Sequence, residues 1–305
     1  MNVLVTGSNG FVGRALVDRL LDEGHGVGIW LRPDAPAARL ESWAARGARS
    51  FVETPNPDFW QPSNDSLRFL ETFRPDACVH LAWAKRSREH RHDPDHYTHN
   101  YAVAVRLARS LTGSACTRFL GLGSQSEYGR HPAPLGLSTP LNPDTAYGLG
   151  KLMAGLATER LCRSSGIAHA WLRLTAAYGP GETGHTFVGY ATQRAAAGKP
   201  IEMSKGEQRW DYLYIDDLVS VVMLAIEKKL EGFFPLGSGE AVSLLEIAQR
   251  VALLRPGVEL ALGRVPYAPD ENFHVCADPS AVRERLGWQP RVTIEEGLRR
   301  TVEGR

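Results

Sequence analysis

The chain has 305 residues, 43% hydrophobic and 23% charged, with a formal net charge of +1. This is enough apolar material for a packed core, and the near-neutral balance gives nucleic acid or an acidic membrane surface no electrostatic attraction. The length fits one large α/β domain or two modest ones.

Cys78, Cys116, Cys162 and Cys276 are widely separated, mostly flanked by apolar residues and without CxxC spacing. They read as buried thiols in a reducing compartment, not as a disulfide or zinc framework. Met1 leads directly into an apolar strand pattern without a basic n-region or signal h-region. No apolar run approaches a membrane span, so a soluble, cytoplasmic protein is expected.

The first half alternates short apolar runs with helical patterns, as βαβ units do. Strands are predicted at 2–6, 26–31, 49–53, 77–82, 118–123 and 169–174. They are apolar throughout, which fits a parallel sheet buried on both faces. Phe11, Ala15, Leu16 and Leu20 keep helical spacing in the first crossover, and Val103, Leu107 and Leu111 do so in the fourth. The polar stretch 85–100 reads as a long surface loop leading into a helix.

After residue 175 the rhythm changes. A helix is predicted over 187–197, then a strand, then a helix capped by Asp216 or Asp217. Short strands and helices mix in the remainder. The fold class is α/β, a Rossmann-type doubly wound parallel sheet with a smaller C-terminal α/β substrate domain. The dinucleotide-binding domain is placed at 1–175, with 208–237 returning to it, and the substrate domain at 176–207 and 238–305.

VTGSNGFVG places Gly7, Gly10 and Gly13 between the first strand and the first helix. Glycines there permit a tight bend, close approach to a pyrophosphate and close helix–strand packing. The helix N-terminus adds N–H donors and partial positive charge, so dinucleotide binding is expected. Nucleotide preference is set at the end of the second strand, where an acid binds the ribose hydroxyls and repels a 2′-phosphate. Here Leu31 takes that place and Arg32 follows, which favours NADP(H) over NAD(H).

AYGLGK spaces Tyr147 and Lys151 by one helical turn, on one face. A nearby ammonium favours tyrosinate and lowers the phenol pKa. The tyrosine can then exchange a proton with a substrate hydroxyl or carbonyl.

These pieces together resemble the extended short-chain dehydrogenases/reductases, in the nucleotide-sugar epimerase/dehydratase/reductase group. The matching stretches are VTGSNGFVG, CVHLAW, Asn100, GSQSEYG, YGLGK, LRLTAAYGPG, QRWDYLYIDD, PLGSGEAVSLLEIA and LGWQPRVTIEEGL, in family order along nearly the whole chain. The resemblance implies that Gly7, Asn9, Gly10, Phe11, Val12 and Gly13 hold the pyrophosphate. It implies that Leu81, Ala82 and Trp83 line the cofactor, that Asn100 lies near the nicotinamide, and that Lys151 binds its ribose. Ser124 takes the catalytic Ser/Thr position beside Tyr147 and Lys151. Helices near 97–111 and 147–164 imply a homodimer, and the implied substrate is a nucleotide-diphosphate sugar.

All reactions of this group begin with hydride transfer at a sugar carbon, with the tyrosine moving the proton. Elimination needs an acid–base pair after the Ser/Thr. Gln125 and Ser126 stand there, and Glu127 lies one position further, where an extended segment turns it away. The sequence therefore reads as a ketoreductase acting on an NDP-4-keto-(6-deoxy)sugar, as in deoxysugar biosynthesis. A 4-epimerase is the alternative, then a dehydratase. The missing ribose-binding acid, and Ala176 where many members carry a substrate-contacting Asn, count against epimerisation. Substrate contacts are expected at Gln125, Ser126, His185, Phe187 and Arg209, the last because a guanidinium fork matches phosphate.

His90, His92, His96 and His99 share one loop with Asp93 and Asp95. Their spacing matches no compact metal site, so no metal is expected and the loop reads as solvated. Glu53 is a possible adenine-edge contact or a plain strand-end charge. Ser238 and Glu240 read as capping and turn residues.

Overall fold

The structure, a computed structural model, describes residues 1–31, 37–52, 61–85, 87–132, 134–182, 184, 186–268 and 271–304. Arg32, Glu53 and His185 lie outside the described residues.

Six strands run through the first half: β1 (Asn2–Thr6), β2 (Gly26–Leu31), β3 (Arg49–Val52), β4 (Ala77–His80), β5 (Arg118–Ser124) and β6 (Ala168–Leu174). With strand Gly232–Leu236 they form a seven-stranded parallel sheet. Its spatial order is strand 232–236, β6, β5, β4, β1, β2, β3. Helices α1 (Phe11–Asp22), α2 (Ala37–Ala45), α3 (Asn64–Phe73), α4 (His99–Leu111) and α5 (Ala146–Ser164) make the crossovers.

β1 is the hinge of this order. It pairs parallel with β2 on one side, Val5 opposite Ile29, and with β4 on the other, Val5 opposite Val79. Successive side chains of a strand point to opposite faces, yet Val3, Leu4 and Val5 are all fully buried. Helices therefore cover both faces, which explains the uninterrupted apolar strands. The chain winds outward from β1 to β3, then crosses back to β4. That reversal opens a crevice at the carboxyl ends of β1 and β4, where open α/β sheets bind ligands.

The chain forms two compact units: Met1–Glu127, Pro143–Arg173 and Val219–Phe233 in the first, Tyr128–Asn142, Leu174–Leu218 and Phe234–Arg305 in the second. Of the stretch 208–237, 219–233 belongs to the first unit by this division.

In the second unit, strand Arg209–Asp211 pairs antiparallel with Ala241–Ser243 and parallel with His274–Val275. Helix α6 (Phe187–Ala196) is capped by Thr186, whose hydroxyl accepts the Gly189 N–H. Helix α7 (Ile215–Glu227) carries Asp216 and Asp217 inside its first turn. The expected cap at Asp217 is corrected: its carboxylate accepts the N–H groups of Arg291 and Val292, at 3.0 and 2.9 Å. Helix α8 (Leu244–Leu254) has a full capping box, Ser243 with Glu246, which satisfies two orphan donors reciprocally.

All four cysteines are buried and free, and burial pushes the Cys116 thiol up to about 11 and Cys162 to about 12. Among the described residues no helix is long and apolar enough to cross a membrane.

Candidate active site

The glycine turn is built by close approach. Gly7 takes φ +73°, and a Cβ there would lie 2.6 Å from the Ala82 amide nitrogen. A Cβ on Gly13 would overlap the Gly7 carbonyl oxygen. Only glycine fits both positions, so the turn lies directly on the chain leaving β4. Gly10 precedes α1 and no side chain caps that helix, which leaves the first-turn amides, including those of Phe11, Val12 and Gly13, free of side-chain partners from this position. Ser8 is fully buried, and its Oγ has no partner among the described residues. A tight glycine cradle, uncapped helix amides and an orphaned hydroxyl suit the pyrophosphate of a dinucleotide.

Thr6 and His80 tie the ends of β1 and β4 together. Thr6 Oγ1 accepts the Ala82 N–H at 3.3 Å and lies 2.8 Å from His80 Nδ1. Burial lowers the His80 pKa to about 3, so the ring is neutral. Leu81 and Ala82 follow as the backbone against Gly7. Trp83 turns inward; its indole is buried among core residues.

β5 ends at Ser124, followed by a 3₁₀ turn over Gln125–Glu127. Ser124 is buried, and its Oγ accepts the Ser126 N–H at 3.1 Å. Gln125 Nε2 donates to Ser126 Oγ. Glu127 is fully buried and engaged on both oxygens. Oε1 accepts from Ser124 N and Trp171 Nε1, both at 2.9 Å, and Oε2 takes Arg173 Nε at 2.7 Å. This carboxylate is a strut that fixes the serine loop to β6.

Tyr147 and Lys151 lie on the first two turns of α5, which Thr145 caps by accepting the Gly148 N–H. The glycines between them admit two neighbours. A Cβ on Gly148 would overlap the Ser126 carbonyl oxygen, and one on Gly150 the His96 carbonyl oxygen. The serine loop and the histidine loop are therefore both laid on the start of α5. Lys151 is buried, its Nζ donates to Leu122 O at 2.7 Å, and it sits 4.0 Å over the centre of the Trp83 ring. The ammonium is thus anchored to β5, two residues before Ser124. Asn100 bridges Ala84, accepting its N–H at 2.8 Å and donating to its carbonyl at 3.2 Å.

The described part of the histidine loop is mostly exposed or half-buried, as expected of a solvated segment, and His96 is the exception. His96 is fully buried, because each ring nitrogen has a partner: Trp83 Nε1 at 3.1 Å and the His90 carbonyl at 2.9 Å. Its ring meets Tyr147 edge-on at 5.3 Å. Among the described residues, three metal-capable ligand atoms come together at Glu23, His25 and Glu227 instead, with both glutamates exposed.

Of the expected substrate contacts in the second unit, Phe187 opens α6 and packs on Tyr190. Arg209 is half-exposed, donates to Ala241 O and lies 3.8 Å from Glu246. The neighbouring Asp211, unremarked in the sequence, is fully buried and accepts from Ser238 N, Ser238 Oγ, Gly239 N and Ala277 N. Burial pushes its carboxyl up, and these four donors pull it back. Ser238 thus serves Asp211.

Comparison with known proteins points the same way. Residues 3–234 match the NAD dependent epimerase/dehydratase family. A UDP-glucose 4-epimerase of Mycolicibacterium smegmatis is 30% identical, covering 99% of this chain and 98% of its own. A dTDP-6-deoxy-L-talose 4-dehydrogenase (NAD(P)(+)) of Kitasatospora kifunensis is 29% identical over 97% of this chain and 93% of its own. The crystal structure of Thermotoga maritima UDP-glucose 4-epimerase with UDP-glucose superposes with a TM-score of 0.85 at 26% identity, covering 100% and 98% of the two chains. The order of the sheet, the glycine cradle at its reversal and a family match across most of the sequence lead to one conclusion: this chain belongs to the NAD dependent epimerase/dehydratase family.

Proposed function

We propose that the chain is an NAD(P)H-dependent 4-ketoreductase that converts an NDP-4-keto-(6-deoxy)sugar to the 4-hydroxy sugar. One observation carries the choice of reaction. The two positions after Ser124 hold Gln125 and Ser126, and Glu127 is consumed by Ser124, Trp171 and Arg173. The loop has no carboxylate left for elimination, whereas ketone reduction needs none.

The dinucleotide, when bound, supplies the hydride. Gly7, Asn9, Gly10, Phe11, Val12 and Gly13 hold its pyrophosphate, Leu81, Ala82 and Trp83 line its course, and Lys151 binds its ribose with Asn100 nearby. Ser124 donates a hydrogen bond to the C4 oxygen, and Tyr147 gives that oxygen its proton. Lys151 favours the tyrosinate left behind. Leu31 ends β2 as a buried apolar residue, so no carboxylate from that position opposes a 2′-phosphate. NADP(H) is the proposed preference, with Arg32 the proposed phosphate contact. Phe187 and Arg209 are the proposed substrate contacts within the second unit.

The 30% identity to a 4-epimerase supports the second reading, NAD-dependent epimerisation at C4. The relative named as a 4-dehydrogenase acting with NAD(P)(+) supports the first, since ketone reduction is that reaction in reverse. A homodimer is proposed through α4 and α5, because Leu149 and Leu156, seven residues apart on one face of α5, are both exposed.

Tyr147→Phe tests the reading. It should bind cofactor as the parent does while turnover of a nucleotide 4-ketosugar falls about 10²–10⁴-fold, the usual loss of a general acid. Parental turnover in that variant refutes it.

A further inference from the structure

The contacts around Trp83 go beyond lining a cofactor path. Trp83 Nε1 can only donate, and it points at His96 Nδ1, 3.1 Å away. Asn100 Nδ2, also a donor, lies 3.3 Å from the same nitrogen. On the far side of the ring, His96 Nε2 faces the His90 carbonyl, which can only accept. One form of His96 satisfies all three neighbours: neutral, with the proton on Nε2. Burial also lowers its pKa, so the ring stays in that form across the neutral range.

The result is a fixed plane. The Trp83 and His96 ring planes are 12° from parallel. Both meet the Tyr147 ring edge-on, at 6.2 Å and 5.3 Å. The face of Trp83 carries the Lys151 ammonium at 4.0 Å. Tyr147 and Lys151, one turn apart, therefore share the Trp83 ring, and Tyr147 also meets His96. Two backbone features lock the pair to α5: Tyr147 N donates to Arg91 O at 2.9 Å, and Gly150 leaves room for the His96 carbonyl.

We propose that Trp83 and His96 are positioning residues for the Tyr147–Lys151 pair. His96, held as the Nε2–H form, sets the plane of the indole, and the indole face keeps the Lys151 ammonium charged and aimed. A cation over an indole face is stabilised most where water is excluded, and Lys151 is 5% exposed. His80 on β4 is neutral, and Asp93 and Asp95 are both held by Lys85, at 2.8 and 2.6 Å. The inference rests on the proposed function only in taking Tyr147 as the proton donor.

The sign follows from electrostatics. The indole face favours Lys151 as an ammonium, and the ammonium favours tyrosinate at Tyr147. Removing the face, or letting it rotate, raises the tyrosine pKa. The test needs no substrate: titrate the protein labelled with 13Cζ-tyrosine by NMR, with Tyr147→Phe assigning the resonance. His96→Phe keeps the ring but has no acceptor for the indole, whereas His96→Gln keeps an acceptor and a donor. The Tyr147 midpoint should rise by about half to one pH unit in His96→Phe and in Trp83→Leu, the span a desolvated cation–π contact allows. In His96→Gln it should stay near the parental value.

An unchanged midpoint in His96→Phe, or equal shifts in His96→Phe and His96→Gln, overturns the proposal. Should His96→Phe not fold, Trp83→Phe, with a face but no N–H, decides: a smaller shift than in Trp83→Leu supports it, and parental midpoints in both overturn it. Turnover separates this from the functional reading. If Tyr147→Phe is inactive while His96→Phe keeps the parental midpoint, only the positioning role fails. If Tyr147→Phe turns over normally, the functional reading fails and the titration still judges the positioning.

Discussion

Glu127→Ala is the most informative perturbation of the serine loop. The wild-type carboxylate is fully buried and accepts three hydrogen bonds, from Ser124 N, Trp171 Nε1 and Arg173 Nε. Arg173 is only 6% exposed, and its guanidinium lies 4.9 Å from the centre of Phe233. Truncation leaves that cation buried without its carboxylate, which costs about 3–5 kcal/mol in measured pairs. For a unit of this size, about 2–4 °C of melting temperature accompany each kcal/mol, giving a fall of about 6–20 °C. Glu127→Gln keeps an oxygen for Ser124 N and Trp171 but sets an amide against Arg173, so it should fall between parent and alanine. Denaturant unfolding followed by tryptophan fluorescence measures both. A Glu127→Ala stability within about 0.5 kcal/mol of the parent would show that the strut does not act as described, since that is the size of an ordinary surface change.

Other outcomes follow from the same geometry. Gly150→Ala drives a methyl onto the His96 carbonyl oxygen; we expect a folded sheet by circular dichroism, about 1–3 kcal/mol lost to overpacking, and sharply reduced turnover. His169 is buried with its pKa lowered to about 4, chiefly by desolvation. The unfolded chain therefore binds the proton first, and stability is unaffected above about pH 6.5 and falls as the pH drops from there toward 4, by up to about 3 kcal/mol. His169→Gln should flatten that slope of denaturation midpoint against pH by about one proton's worth. Arg32→Ala should weaken NADPH more than NADH in equilibrium binding; an unchanged ratio rejects the proposed 2′-phosphate contact.

Much of the architecture was legible because local chemistry and global fold agree. β1, β2 and β4 to β6 begin and end within a few residues of the apolar runs that announce them, since a strand buried on both faces has no reason to alternate. The glycine turn was readable for a similar reason: Gly7 and Gly13 meet backbone that a Cβ would strike. What the sequence hid are pairings across long separations. Glu127 was judged by the direction of its own segment, yet its partners Trp171 and Arg173 lie 44 and 46 residues away. His96 looked like one polar residue of a polar loop, and only Trp83, from the chain leaving β4, and Tyr147, from α5, make it a core residue. Thr6 with His80, and Asp211 with Ala277, are equally remote pairs. The caps show the opposite limit. Asp217 had the right residue type at a helix start, but a distant backbone segment, 291–292, claimed its carboxylate.

The reaction itself is tested most directly by cofactor stoichiometry. The purified protein is mixed with NADPH or NADH and a nucleotide-linked 4-keto-6-deoxyhexose, and both cofactor and sugar are followed to completion. The account predicts one reduced cofactor oxidised for each ketone converted to a 4-hydroxyl, with a parallel loss of activity in Tyr147→Phe. Interconversion of 4-hydroxy epimers with no net change in cofactor would contradict it and establish the epimerase instead.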